Sequence, residues 1–258
     1  MRITSIVCIK SVMVNAPDGK ASRSSETCEL NPFDRPALEM ALRLNEMYGG
    51  SVTALSMGPE ETVSALLEAV AMGVDRAVLV SDSVLAGSDT LATSTVLAAA
   101  IKKLAPYDLV FFGTRTSDSD TGQVGPQTAV LLDVPLVSGA YSLEKVNGGF
   151  HVARKIDGYQ EKYDMSLPAA LTIHPPAVES RDLALSGIQT AFEEHTVEIW
   201  GLTKLGVAPD EVGEAGSPTR VVSLKRLKKE RKCEFVSGLP EEQAEDLVKQ
   251  LVAAGLIG

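Results

Sequence analysis

The chain has 258 residues, 45% of them hydrophobic and 22% charged, and its formal charges sum to 24 − 34 = −10. That length holds one large domain or two modest ones, and the composition excludes a disordered or collagen-like chain. The acid excess argues against a nucleic-acid-binding surface over the whole molecule. Cys8, Cys28 and Cys233 lie far apart without a CxxC, and His151, His174 and His195 are equally scattered, so neither a disulfide framework nor a zinc site is expected. No apolar run approaches the ~20 residues that span a bilayer. An apolar strand pattern begins almost at the first residue, and the expectation is a soluble, cytoplasmic protein.

Ile3–Lys10 is a β-branched apolar run and predicts a buried strand. Residues 12–30 form a polar, Gly/Pro/Ser-containing loop of a length that suggests function. Asn31-Pro32-Phe33-Asp34 leads into a helix over Pro36–Tyr48, stopped by Gly49-Gly50. The pattern then repeats: strand Ser51–Met57, helix Glu61–Met72, strand Arg76–Val80, helix Thr90–Leu104 capped by Ser88-Asp89, strand Asp108–Gly113, and a helix from Gly122 to Leu132. Four strand–helix units in a row predict an α/β fold, a mostly parallel sheet flanked by helices.

Beyond residue 145 the texture changes. Phe150–Ile156, Tyr159–Met165 and Ala169–His174 read as short strands around the turn Asp157-Gly158, a small antiparallel extension. Residues 176–220 read as irregular, and seven basic residues crowd into Arg220–Lys232. An amphipathic helix over Glu241–Ala254 closes the chain, with Ala244, Leu247, Val248, Leu251 and Val252 on one face. The expected division is an α/β domain over 1–195 and a C-terminal arm over 196–258.

Ligands in open α/β sheets bind beyond the carboxyl ends of the strands. Polar clusters fall there: Lys10-Ser11, Met57-Gly58, Ser81-Asp82 and the long run from Gly113 to Thr128. That run offers hydroxyls, two carboxylates and backbone N–H groups at a helix N-terminus, which suits a phosphate or pyrophosphate without a lysine. Neither GxGxxG nor GxxxxGK[ST] occurs. Asp118 and Asp120 could pair for acid–base work, but no His, Cys or Lys lies beside them in sequence, and loop capping with ribose or phosphate contacts is the better reading. His151 and His174 read as structural, and Trp200 as packing.

These residues resemble a family. Asn31-Pro32-Phe33-Asp34, Ala71-Met72-Gly73-Val74-Asp75-Arg76, the stretch from Asp118 to Pro126, and Val152-Ala153-Arg154-Lys155-Ile156-Asp157-Gly158 with Glu161 and Pro168 are similar, in order, to the β subunits of electron transfer flavoproteins. The resemblance implies a heterodimer with a flavin-bearing α subunit, which passes electrons from dehydrogenases to a quinone-linked acceptor. It would meet the membrane only indirectly, through a quinone reductase, and would not bind nucleic acid. It further implies that the 1–195 domain binds an adenine nucleotide, FAD in electron-bifurcating members and AMP in simpler ones, and that the 196–258 arm packs on the partner subunit. Ser88-Asp89-Thr90 through Ser94 looks like the FAD type, so FAD is favoured over AMP.

On this resemblance Lys10, Asn31, Asp34, Gly58, Asp89, Thr90, Thr93, Gly113, Asp118, Asp120, Thr121, Gln123, Gly125 and Thr128 would cradle the nucleotide. The flavin would carry the chemistry, with no side-chain nucleophile or base. Arg115 stands one place later than the family's usual basic residue. The loop expected to recognise a dehydrogenase, near Leu183–His195, reads Ala191-Phe192-Glu193-Glu194 where familiar members are lysine-rich, and so would disfavour acidic partners. The alternative is a stand-alone adenine-nucleotide-binding regulatory module.

Overall fold

The computed structural model describes residues 2–13, 27–194, 196–223, 233 and 235–257. Residues up to Arg220 form one compact unit and those from Val221 a second. The first unit is built on a nine-stranded sheet. Its parallel part comprises β1 (Ile3–Cys8), β4 (Gly50–Met57), β5 (Arg76–Val80), β6 (Leu109–Gly113), β10 (Ala169–Ile173) and the edge strand β11 (Glu198–Trp200). β7 (Leu136–Val146) lies parallel to β10, and the hairpin of β8 (Gly149–Ile156) and β9 (Tyr159–Ser166) extends it antiparallel. The order is β11-β5-β4-β1-β6-β10-β7-β8-β9.

The sheet is parallel because its central strands are apolar on both faces. Ile3, Val7 and Ile9 of the first strand and its exit, with Leu109 and Phe111 of β6, share one core with α1 (Arg35–Tyr48) and α2 (Val63–Met72). Ile6, Cys8, Val110 and Phe112 point the other way, into a core with α3 (Thr90–Lys103) and α4 (Val124–Leu132). Two core layers therefore sandwich one sheet, and the chain changes layer between β1 and β6.

Most predicted elements lie within one or two residues of their observed ends. Three differences have physical causes. β7 was not expected, because it changes partner along its length: Leu136–Ala140 follow β10 in parallel, and Ala140–Val146 pair antiparallel with β8. A register shift and Gly139 at φ 69° break its alternation. Asn147-Gly148 between Val146 and Gly149 is the two-residue hairpin signal that marks its end. β10 does not continue the hairpin; all five of its side chains are buried, and it crosses into the parallel sheet between β6 and β7. Short strands β2 (Ser11–Met13) and β3 (Cys28–Leu30) pair inside the loop after β1.

The stretch read as irregular contains α5 (Leu185–Gln189), β11, α6 (Leu202–Leu205) and α7 (Gly213–Gly216). β11 is fixed by Arg76, whose Nε and Nη2 donate to Glu198 at 2.6 and 3.0 Å, and by the buried Trp200. The compact unit thus takes in residues 196–220, beyond the expected boundary at 195. His151 pairs across the hairpin with Asp164 at 2.5 Å. In the second unit α8 (Pro240–Ala253) carries exposed Leu247, Val248 and Val252. Most of the basic run Arg220–Lys232 lies outside the described residues. Among the described residues no helix is long and apolar enough to cross a membrane.

One buried ionic cluster braces the surface after β10. Glu39 of α1 is 2% exposed. It accepts from Arg181 Nε at 2.7 Å and the Arg181 amide at 3.2 Å, and from Arg43 Nε at 2.7 Å, while Arg181 Nη1 also reaches Glu46 at 2.8 Å. Burial opposes the charge on Glu39, and the two guanidiniums outweigh it, holding its carboxyl below the usual range. Arg181→Met is expected to destabilise the unit by about 3 kcal/mol, because it strips a buried carboxylate of its main partner. A urea melt should show a lower midpoint at unchanged slope. Since the depressed pKa contributes stability above the ordinary carboxylate range and loses it as pH falls through the folded value, the difference should shrink in acid.

Candidate functional site

β1 and β6 are neighbours whose following segments leave on opposite faces of the sheet, and a crevice opens between their carboxyl ends. The Asn31–Asp34 turn fills its floor. Asn31 and Asp34 are both buried. Asn31 takes the Lys10 carbonyl with its own amide at 2.9 Å; its side chain donates to the Arg115 carbonyl at 2.9 Å and accepts from Ser117 N at 3.3 Å. Asp34 Oδ2 accepts from Lys10 N at 2.8 Å, and the carboxylate also takes the Gly113 amide. A Cβ on Gly113 would run into Asp34 Oδ1 and lie 2.6 Å from the Phe33 carbonyl oxygen, so glycine is required there.

Above this floor the two acids of the loop after β6 are held by different cations. Lys10 Nζ donates to Asp118 at 2.8 Å and Ser119 Oγ at 3.3 Å. Arg115 pairs with Asp120 at 3.2 Å and lies 4.5 Å over the Phe33 ring. Burial raises the Asp118 pKa, and the Lys10 ammonium together with the Thr116 and Ser119 hydroxyls more than offsets it, leaving the carboxyl below its ordinary range. Two carboxylates each tied to its own cation form charge pairs rather than an acid–base couple.

α3 and α4 lie side by side and bring their N-termini to the same rim. Thr90 Oγ1 meets Gln123 Oε1 at 3.3 Å, and Ser94 Oγ bridges to the Val124 carbonyl and Gln127 at 3.2 Å each. The two N-termini differ. Asp89 caps α3, accepting from Leu91 N and Ala92 N at 3.0 Å each. No side chain caps α4 among the described residues, so its first-turn amides have no intrahelical partner. Asp120 at φ 53° and Gly122 at φ 63° turn the chain into that open end. An uncapped helix N-terminus at the mouth of a crevice suits an anionic oxygen.

The predicted residues thus fall into groups. Lys10, Asn31, Asp34, Gly113 and Asp118 meet at the β1–β6 end. Thr90, Thr93, Asp120, Thr121 and Gln123 lie on the loop and first turns of α3 and α4. Gly125 packs α4 on Phe112 and Thr172. Gly58 closes β4, its amide bonded to the Val80 carbonyl at 3.1 Å. Thr128 is wholly buried, and its Oγ1 has no hydrogen-bond partner among the described residues. Both Asp89 oxygens serve the protein itself, since Oδ2 takes the Thr219 amide and hydroxyl at 3.0 and 2.8 Å. Arg115, set apart in the sequence only by its displacement from the family's usual basic position, also lies at the crevice; its stacking on Phe33 has no signal in sequence, whereas its place two residues after the strand-end glycine does.

An open, doubly wound sheet with a polar crevice at the point where its chain reverses direction defines the class of α/β proteins that bind ligands at strand carboxyl ends. The particular family follows from comparison: residues 19–199 match the electron transfer flavoprotein domain, and the chain belongs to that family. It is 39% identical over 222 residues to the electron transfer flavoprotein subunit beta of Thermoanaerobacterium thermosaccharolyticum, covering 86% of this chain and 85% of that one. The corresponding subunit of Clostridium acetobutylicum is 37% identical over 254 residues, covering 95% and 96%. The acryloyl-CoA reductase electron transfer subunit gamma of Anaerotignum propionicum is 35% identical over 266 residues, covering 97% and 98%. The chain is an electron transfer flavoprotein subunit of the beta type.

Two outcomes are expected at this site. Burial lifts the Asp34 carboxyl to about 7 against the opposing pull of its backbone donors. Between its unfolded pKa of about 4 and that value the native state holds a proton the unfolded chain has lost, so this group lowers stability as pH rises through the window. Asp34→Asn should remove that slope from stability measured against pH. Thr128→Val replaces an unpartnered buried hydroxyl with a methyl of the same shape, and should raise the Tm by a few degrees, the equivalent of about 1 kcal/mol.

Proposed function

We propose that this chain pairs with an electron transfer flavoprotein α subunit and holds an adenine nucleotide in the β1–β6 crevice, FAD in preference to AMP. The observation that carries the reading is the uncapped N-terminus of α4, set at the crevice mouth beside the hydroxyls of Thr90, Thr93 and Thr121. Amides 121–125 would take the phosphate oxygens, and the threonine hydroxyls would take the second phosphate of an FAD pyrophosphate. Lys10 and Arg115, each already paired with an aspartate, frame the mouth without making it strongly positive. A flavin bound here supplies one- and two-electron transfer. The side chains bind and orient it.

Electrons would come from a dehydrogenase docked at the surface of residues 183–194. There Leu185 and Phe192 are 82% and 65% exposed, Ala191 is buried against α2, and Gly187 packs on the Ala71 carbonyl. Glu193 and Glu194 make this surface acidic, which favours a donor with a basic docking patch. His195 lies outside the described residues. The acryloyl-CoA reductase relative supports an acyl-CoA oxidoreductase as the kind of partner.

The reading is tested by purifying the complex, releasing its nucleotides in acid and identifying them chromatographically. Two FAD per heterodimer is the expected result; one FAD with one AMP would replace FAD by AMP in this chain. A colourless monomer holding only AMP would overturn the assignment to an electron-transfer complex. Thr121→Val should lower nucleotide retention about ten- to a hundredfold while leaving the fold intact, as loss of a hydrogen bond to a charged group does, and Asp120→Ala should lower it through loss of an acceptor for a ribose hydroxyl.

A further inference from the structure

The last stretch of the compact unit is stitched to the loop that begins α3. The Gly213 amide donates to Ser88 Oγ at 3.0 Å, and the Glu214 amide to the Ala86 carbonyl at 3.0 Å. Gly213 adopts φ 64°, and a Cβ there would run into the Val84 carbonyl oxygen. Ser217 Oγ accepts from the Asp89 amide at 2.8 Å and donates to the Gly213 carbonyl at 2.6 Å. Thr219 completes the seam with two bonds to Asp89 Oδ2. Asp89 is thus one carboxylate with two duties: Oδ1 satisfies the first amides of α3, and Oδ2 holds the residue two places before Val221, where the second unit begins. The amides of Ala92 and Thr219 and the Thr219 hydroxyl outweigh the burial that would raise its pKa, and the carboxyl stays ionised below its ordinary range.

The other side of the same first turn faces the crevice. Thr90, next to Asp89, contacts Gln123 at the open end of α4, and Thr93 lies one turn further along the same helix face. Anything that orders the first turn of α3 from the crevice side also fixes the Asp89 carboxylate, and a fixed Oδ2 is the anchor of Thr219. Conversely, local opening of residues 217–219 strips Asp89 of two donors and loosens the cap.

We propose that Asp89 is a positioning residue that couples nucleotide occupancy of the crevice to the anchoring of residues 213–220, the root of the C-terminal unit. The inference rests on the nucleotide reading above. A ligand at Thr90, Thr93 and the α4 amides stabilises the closed seam without touching it, and the closed seam favours the ligand by the same factor.

Hydrogen exchange on the full-length protein in its complex, stripped of nucleotide and then saturated with AMP or with FAD, tests this. The expected result is slower exchange at amides 121–125 and also, by about fivefold, at Ser217, Thr219 and Arg220. Asp89→Asn keeps the cap oxygen for Leu91 and Ala92, because asparagine caps as well as aspartate, but turns an amide NH2 toward the Thr219 N–H. In that variant the protection at 217–220 should vanish while that at 121–125 persists. Thr219→Val should weaken it in the same direction, and Thr219→Ser should restore it, which a merely structural seam would not do in a nucleotide-dependent way. Protection at 121–125 with no change at 217–220 in the natural protein overturns the coupling alone. So does protection at 217–220 that survives both Asp89→Asn and Thr219→Val. No protection at 121–125 with either nucleotide overturns the nucleotide reading itself.

Discussion

The crevice depends on one buried carboxylate. Beyond Cys8 and Phe112 the β1–β6 ladder ends, because the two strands send their chains to opposite faces of the sheet. No further backbone pairing can join them, and the amides of Lys10 and Gly113 would be left without acceptors in a buried place. Asp34 accepts both. The Asn31 side chain does the same for the loop beyond, tying the Arg115 carbonyl and the Ser117 amide to the same turn. A four-residue turn contributed by one layer thus fixes the loops of two strands, and the desolvation it suffers appears in the upward shift of the Asp34 pKa. The Lys10–Asp118 pair and the approach to α4 lie on loops that this turn holds.

Charge at the crevice is arranged for balance. On the proposed nucleotide reading, lysines and arginines concentrated at the site would attract the phosphates, yet Lys10 and Arg115 each face an aspartate. Attraction for a phosphate would then fall to oriented amides, whose partial charges are fixed in direction, and this would favour a bound group of defined geometry over any anion. The loop over residues 183–194 follows a different rule, with Glu193 and Glu194 near exposed Leu185 and Phe192; as the proposed docking surface it would combine apolar contact with charge selection.

Much of this was legible in the sequence, for reasons that can be assigned to particular residues. The alternation of apolar strands with helices ended by Gly49, Gly73 and Pro106 is local, and local rules found it. The strand-end position of Lys10 and of the Gly113–Thr128 run placed the crevice. What escaped was non-local. β7 hides because half of it serves a parallel neighbour and half an antiparallel one, so no single period runs through it. β10 is five buried residues whose destination, between β6 and β7, depends on strands about sixty and about thirty residues earlier in the chain. The Asp89–Thr219 bond joins positions 130 residues apart, and nothing in either neighbourhood announces the other.

That last bond explains why two adjacent helix N-termini have different uses. α3 and α4 arrive at the same rim, and both present free amides at the start. Had both been left open, two equivalent anion sites would compete, and a single phosphate could sit at either. Asp89 removes one of them by occupying the first amides of α3 with its own carboxylate. The amides at α4 then stand alone, and the hydroxyls of Thr90 and Thr93 are left to contact what lies beside an anion held there. Because the carboxylate that caps α3 is also the one that holds Thr219, the difference between the two helix starts and the anchoring of Thr219 are set by the same side chain.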